Sequence, residues 1–195
     1  MTDATPRHRD ITSRYRQHGG SILIEMKLNT ATQLFNSLDP SPFHEKDLDD
    51  DAAEYIVSTA RDFPLKAPLR LEIYLPPDQI RQDTEESVTN AVHNFFDYKT
   101  EVVDSDLRTV LRQGRVSLLI GLTFLSACLF ARQLLGTQLP QGTVREILAE
   151  GLLISGWVAM WRPIQIFLYE WWPIRNLRRL YHKLSHLKID VRARD

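Results

Sequence analysis

Two apolar runs, Val116 to Leu135 and Ile147 to about Trp172, constrain this chain more than any other feature. The first, VSLLIGLTFLSACLFARQLL, carries no charge from Val116 to Ala131 and is bracketed by Arg115 and Arg132. About 20 mostly apolar residues in a helix cross roughly 30 Å of hydrocarbon, and a helix satisfies its own backbone there. Arg132 lies near enough to one end to snorkel. A helix apolar all round is otherwise a core helix, and a chain this polar has no apolar shell to surround one. The sequence predicts a membrane span.

The second run, ILAEGLLISGWVAMWRPIQIFLYEWWPI, is less clean: Glu150 lies near its start, Arg162 inside it, and Pro163 removes a backbone donor. Two readings stay open. A tilted helix spans from about Ile147 to Tyr169, with Trp161, Trp171 and Trp172 in an interfacial belt. Alternatively the helix kinks at Pro163 and its continuation, apolar at Ile164, Phe167, Trp171, Ile174, Leu177, Tyr181 and Leu184, lies on the membrane surface. The linker Gly136 to Arg145, with Gly136, Pro140 and Gly142, suits a short turn between antiparallel helices.

Charge divides unevenly along the chain. Residues 1–115 hold 14 Lys and Arg against 20 Asp and Glu, and residues 116–195 hold 10 against 5. Arg108, Arg112 and Arg115 precede the hairpin, and Arg175, Arg178, Arg179 and Lys183 follow it. Excess Lys and Arg in short flanks marks the cytoplasmic side, so both termini are expected there, with anionic lipid against the basic tail. Nucleic acid is a poor partner, since the basic residues adjoin the bilayer and the remainder is acidic.

The first residues lack the apolar core of a signal peptide. Residues 1–20 read as a disordered basic arm and residues 21–113 as a cytosolic βαβα domain. Residues 114–172 form the transmembrane hairpin, and 173–195 a basic amphipathic tail. The fold class is a small α/β domain joined to a helical hairpin. SILIEMKL and LRLEIYL alternate as strands with apolar faces at Ile22, Ile24, Met26 and at Leu69, Leu71, Ile73. Thr30 to Asn36 is a short helical turn, and Pro40 and Pro42 force an extended path. Asp47 or Asp49 caps a helix ending before Pro64, with Asp50, Asp51 and Glu54 at its positive end. Two strands joined by a helix predict a parallel βαβ unit. A two-stranded sheet is marginal alone, so the next helix covers it or another copy completes it. That helix carries Val88, Ala91, Val92, Phe95 and Phe96; a break near Asp104 is favoured over direct entry into the first span.

No catalytic signature is found, no cofactor motif, and no Cys/His metal pattern around the single Cys128. The Asp-rich helix start lacks the spacing of a calcium loop. His44 and His93 have no evident partners. Arg162 is the costly residue: a charge within a span faces a partner or water. One reading pairs it with Glu170, Glu150 or an acidic residue of another subunit; the other has it snorkel to lipid phosphate. Gly151, Ser155 and Ala159 recur every four residues and form a helix-packing face, serving either the hairpin itself or a homo-oligomer.

The strings LFNSLDPSPF, EYIVSTARDFP, LIGLTFL and GWVAMWRPIQIFLYEWWPIR resemble a family of small, uncharacterised bacterial two-span membrane proteins. The resemblance covers most of residues 21–188 and implies a bacterial inner-membrane setting with no activity attached. The function read from the sequence is a non-catalytic adaptor or assembly factor with a protein partner. The alternative is a subunit of a small oligomeric channel or transporter with Arg162 in its path.

Overall fold

The computed structural model describes residues 15–36, 47–138 and 140–194. It comprises a small four-stranded mixed sheet with helices, and two long apolar helices. The chain divides into two compact units: residues up to Glu101 together with Arg178–Asp195, and Val102–Leu177.

The first unit is built on strands β1 (Gln17–His18), β2 (Ser21–Lys27), β3 (Leu69–Leu75) and β4 (Lys188–Ala193), adjacent in that order. β1 and β2 are antiparallel, joined through Gly19 and Gly20, whose φ angles of 58° and 80° fit a two-residue turn that side chains would strain. β2, β3 and β4 are mutually parallel. Helix α1 (Asp50–Arg61) is the crossover between β2 and β3; Asp49 caps it, its carboxylate accepting from the Asp51 amide at 3.1 Å. Helix α2 (Thr84–Gln138) begins within this unit, burying Val88, Ala91, Val92 and Phe96. The last turn of helix α5 (Trp171–Leu184) adds Leu180 and Leu184. These helices share one core with the apolar phase of the strands, centred on Ile24, Leu71 and Ile73. Each such side chain, fully buried, contributes about 1.5–3 kcal/mol.

Several expectations are corrected here. The segment 173–195 is no free tail: Ile189 and Val191 alternate with charged residues, and β4 pairs with β3 from Arg70↔Lys188 to Leu75↔Ala193. The sheet is thus completed by its own C-terminal segment, not by another copy. Three further bonds hold that segment. His93 Nε2 donates to the Leu187 carbonyl at 2.8 Å, so His93 has a partner after all. The Val191 amide donates to Glu85 Oε2 at 3.1 Å, and Lys183 Nζ donates to the Ala67 carbonyl. Gln17 and His18 are strand and not disordered arm, because the glycine turn folds them back on β2; residues 1–14 lie outside the described residues, as do Pro40, Pro42 and His44. The expected break at Asp104 is absent: α2 runs through it, and its carboxylate accepts from Arg108 Nη2, one turn on, at 2.7 Å.

In the second unit α2 continues to Gln138, followed by α3 (Thr143–Ala159), α4 (Trp161–Gln165), a π-helical stretch (Ile166–Glu170) and the start of α5. The helical stretches Thr84–Gln138 and Thr143–Leu184 are long and apolar enough to cross a membrane. Their apolar side chains face outward: Leu119 is 68 % exposed, Phe130 64 % and Trp161 70 %. Apolar surface on that scale marks a face that meets lipid or protein.

The two runs pack antiparallel where glycines let backbones meet. Gly114 lies against Ile166 and Phe167, Gly121 against Ala159 and Met160, and Gly156 against Leu125 and Cys128. Pro163 has no N–H for the Ala159 carbonyl one turn earlier. A Cβ on Gly121 would sit 2.8 Å from that carbonyl oxygen, so only glycine lets the first helix approach it. Of the expected packing face of Gly151, Ser155 and Ala159, the hairpin itself uses only Ala159. Ser155 is exposed, Gly151 meets nothing within 4 Å, and Gly156 holds the buried position. A strict four-residue spacing drifts around a helix of 3.6 residues per turn; the observed stripe Gly156, Ala159, Pro163, Ile166 alternates threes and fours.

This packing predicts opposite outcomes for two glycines. Gly121→Val should destabilise the detergent-solubilised protein by about 1–3 kcal/mol through overpacking. Gly151→Ala should leave stability unchanged or raise it by up to about 1 kcal/mol, as alanine does in a helix. Thermal unfolding followed by circular dichroism distinguishes them, and the reverse order would refute the interface.

Candidate functional site

In the first unit, the strand phase opposite the core is charged. Successive residues of a strand point to opposite faces. The register therefore sets Glu25, Glu72 and Asp190 side by side on adjacent strands, with Lys27, Tyr74 and Arg192 in the next row. Neighbouring strands lie about 4.8 Å apart, and like charges opposite one another destabilise a sheet. Cations and one hydroxyl resolve the conflict. Arg70 Nη1 donates to Asp190 Oδ2 at 3.0 Å, and Arg16 Nη1 lies 3.4 Å from Glu25 Oε1. Tyr74 donates its hydroxyl to Glu72 Oε2 at 2.9 Å and to Glu25 Oε1 at 3.1 Å, one proton shared between two acceptors.

Glu72 is the centre of this array, its side chain only 1 % exposed. Arg192 Nη2 approaches Glu72 Oε1 to 3.0 Å, but the pair is too misaligned to count as a hydrogen bond. Charge attraction holds it. Removing Arg192 would leave a buried carboxylate without its counter-charge, which is far costlier than losing a surface pair. Two recesses open beside Tyr74. One of about 260 Å³ is lined by Arg16, His18, Leu23, Glu72 and Arg192 among others. The second, about 510 Å³, is lined by Arg16, Glu25, Lys27, Tyr74, Ala193 and Arg194.

The residues singled out in the sequence lie in the second unit. Arg162 and Glu170 are brought together as an ion pair that spans the π-helical stretch. Of the partners considered for Arg162, the nearest along the chain toward the C-terminus is the one used. Trp161 and Trp172 are exposed; Trp171 is half-buried, donating Nε1–H to the Phe167 carbonyl at 2.7 Å beneath the Arg175 guanidinium. The charged sheet face was missed by sequence reasoning. Its signal is the unused phase of the same alternation: in LRLEIYL the residues between the leucines and isoleucine are Arg70, Glu72 and Tyr74. No known family model, curated protein or solved structure matches this chain.

The Tyr74 hydroxyl titrates above its ordinary value, first because it donates to Glu72, then through burial, the bond to Glu25 and the two negative charges. A raised folded-state value means that the neutral phenol stabilises the fold below pH about 10, the unfolded value. That stabilisation is lost as pH rises through the folded value. Tyr55 is raised as well, chiefly by burial, so ultraviolet titration should show two phenols ionising late in the wild type and the Tyr74 one missing in Tyr74→Phe. In Glu72→Gln the same phenol should ionise earlier; an unmoved titration would contradict the assigned cause.

Proposed function

We propose that this chain is an integral, two-span protein of the bacterial inner membrane that holds a small α/β domain on the cytoplasmic side and acts by binding. The observation that carries the reading is the pairing of β3 with β4. Segments before and after the hairpin fold into one sheet, and a folded sheet cannot straddle a bilayer, so both flanks belong on one side. The Lys and Arg excess at those flanks supports the cytoplasm as that side. The outward-facing apolar side chains of the hairpin support lipid as its surroundings, with Trp161 and Trp172 placed as an interfacial belt.

The domain serves as an adaptor or assembly factor. Its partner surfaces are the acidic start of α1, Asp49 to Glu54, and the charged sheet face, each suited to a protein of complementary charge. Anionic lipid meets the basic residues beyond the second span. Small-residue faces on the hairpin leave room for a homo-oligomer. The channel reading draws less support, because Arg162 already has Glu170 as counter-charge.

Cysteine labelling tests the topology. In a Cys128→Ser background, Lys66→Cys and Arg194→Cys should react only with reagent that reaches the cytoplasm, and Gln141→Cys only with reagent outside. Labelling of positions 66 and 194 from opposite sides would sink the proposal.

A further inference from the structure

We infer that the 510 Å³ cleft on the charged sheet face binds the phosphate group of a soluble, hydroxyl-bearing phosphate monoester. Its lining holds three cations, Arg16, Lys27 and Arg194, against one carboxylate, Glu25. The excess of two positive charges matches a phosphate monoester, which carries about −1.5 to −2 at neutral pH. The cations are available to it. Arg16 makes only a long 3.4 Å contact with Glu25 and its side chain is 76 % exposed. Arg194 has a neutral partner, the Asn29 side-chain oxygen at 3.3 Å. Lys27 is exposed and ends β2. Guanidinium groups bind phosphate oxygens in bidentate fashion and an ammonium supplies a point charge.

Position and lining narrow the ligand further. Lys27 closes the parallel strand β2 and Arg194 immediately follows β4, so the cleft lies at the carboxyl ends of parallel strands. Open α/β sheets bind ligands there. The volume falls within the roughly 300–1,000 Å³ of small-molecule sites, which leaves room for an organic remainder beyond the phosphate. Glu25, held by Tyr74, is an acceptor for ligand hydroxyls. A lining with both signs suits a polyol phosphate better than a uniformly anionic bilayer surface, which Glu25 would repel. The inference is independent of the membrane assignment, since every residue it uses lies in the sheet unit.

The test is calorimetry on the full chain in neutral-lipid nanodiscs, titrated with glucose 6-phosphate, glucose and inorganic phosphate. Saturable binding of glucose 6-phosphate, weaker binding of inorganic phosphate and none of glucose are expected. The double variant Lys27→Gln/Arg194→Gln should lose about tenfold or more in affinity. Arg81→Gln, in a different recess of the same unit, should bind as the wild type does. Circular dichroism of the double variant checks that it is folded. Absence of saturable binding by the wild type would overturn the inference, as would unchanged affinity in a folded double variant. Binding that appears only when phosphatidylglycerol is added to the disc, lost in the same double variant, would assign the cleft to a lipid headgroup and overturn it too.

Discussion

The parallel pairing of β3 with β4 is the interaction on which the rest depends. It joins Arg70–Leu75 to Lys188–Ala193 across the entire helical hairpin. Closing so long a loop costs conformational entropy that grows only slowly with length, so an apolar face of modest size can offset it. Ile189 and Leu187 supply that face, together with Leu180 and Leu184 from the preceding helix. Side-chain bonds from His93 and Glu85 on α2 then hold the returning chain. The same pairing adds a fourth strand to the sheet of β1, β2 and β3, and a third to its parallel part.

Closing the sheet also creates the charged face. Asp190 joins the row of Glu25 and Glu72 only because β4 docks in this register, and Arg192 reaches Glu72 for the same reason. A shift of one residue would turn every side chain to the other face. It would bury Lys188 and Asp190 among leucines while exposing Ile189. The buried Glu72 makes the register costly to slip, since its counter-charge comes from β4 alone among the described strands. The electrostatics and the apolar pattern thus specify one alignment.

Much of this fold was legible. Alternation in SILIEMK and LRLEIYL placed β2 and β3 with their core phase, and the Asp-rich start with Pro64 beyond it bounded α1. Length and absence of charge identified the first apolar helix. What failed was long-range. KIDVRA is short and basic, and nothing local distinguishes such a strand from a solvated tail; its partner lies over a hundred residues away. The break expected at Asp104 rested on capping preference, but within a helix the same aspartate pairs with Arg108 one turn on. The four-residue spacing of Gly151, Ser155 and Ala159 does not mark Gly156, whose place in the hairpin depends on the first helix approaching the Ala159 carbonyl, a long-range contact. The pair Arg162–Glu170 was among the options read from the sequence; the π-helical stretch between them was not.

Disulfide trapping across β3 and β4 tests the central claim most directly. Register partners on adjacent strands place their Cα atoms within the roughly 4.4–6.8 Å that a disulfide spans. Arg70→Cys with Lys188→Cys, in a Cys128→Ser background, should oxidise within one chain. Arg70→Cys with Arg192→Cys, displaced about 13 Å along the strand, should stay reduced. A registered pair that stays reduced, or that links only different chains, would contradict the pairing of β3 with β4 and remove the support for the proposed topology.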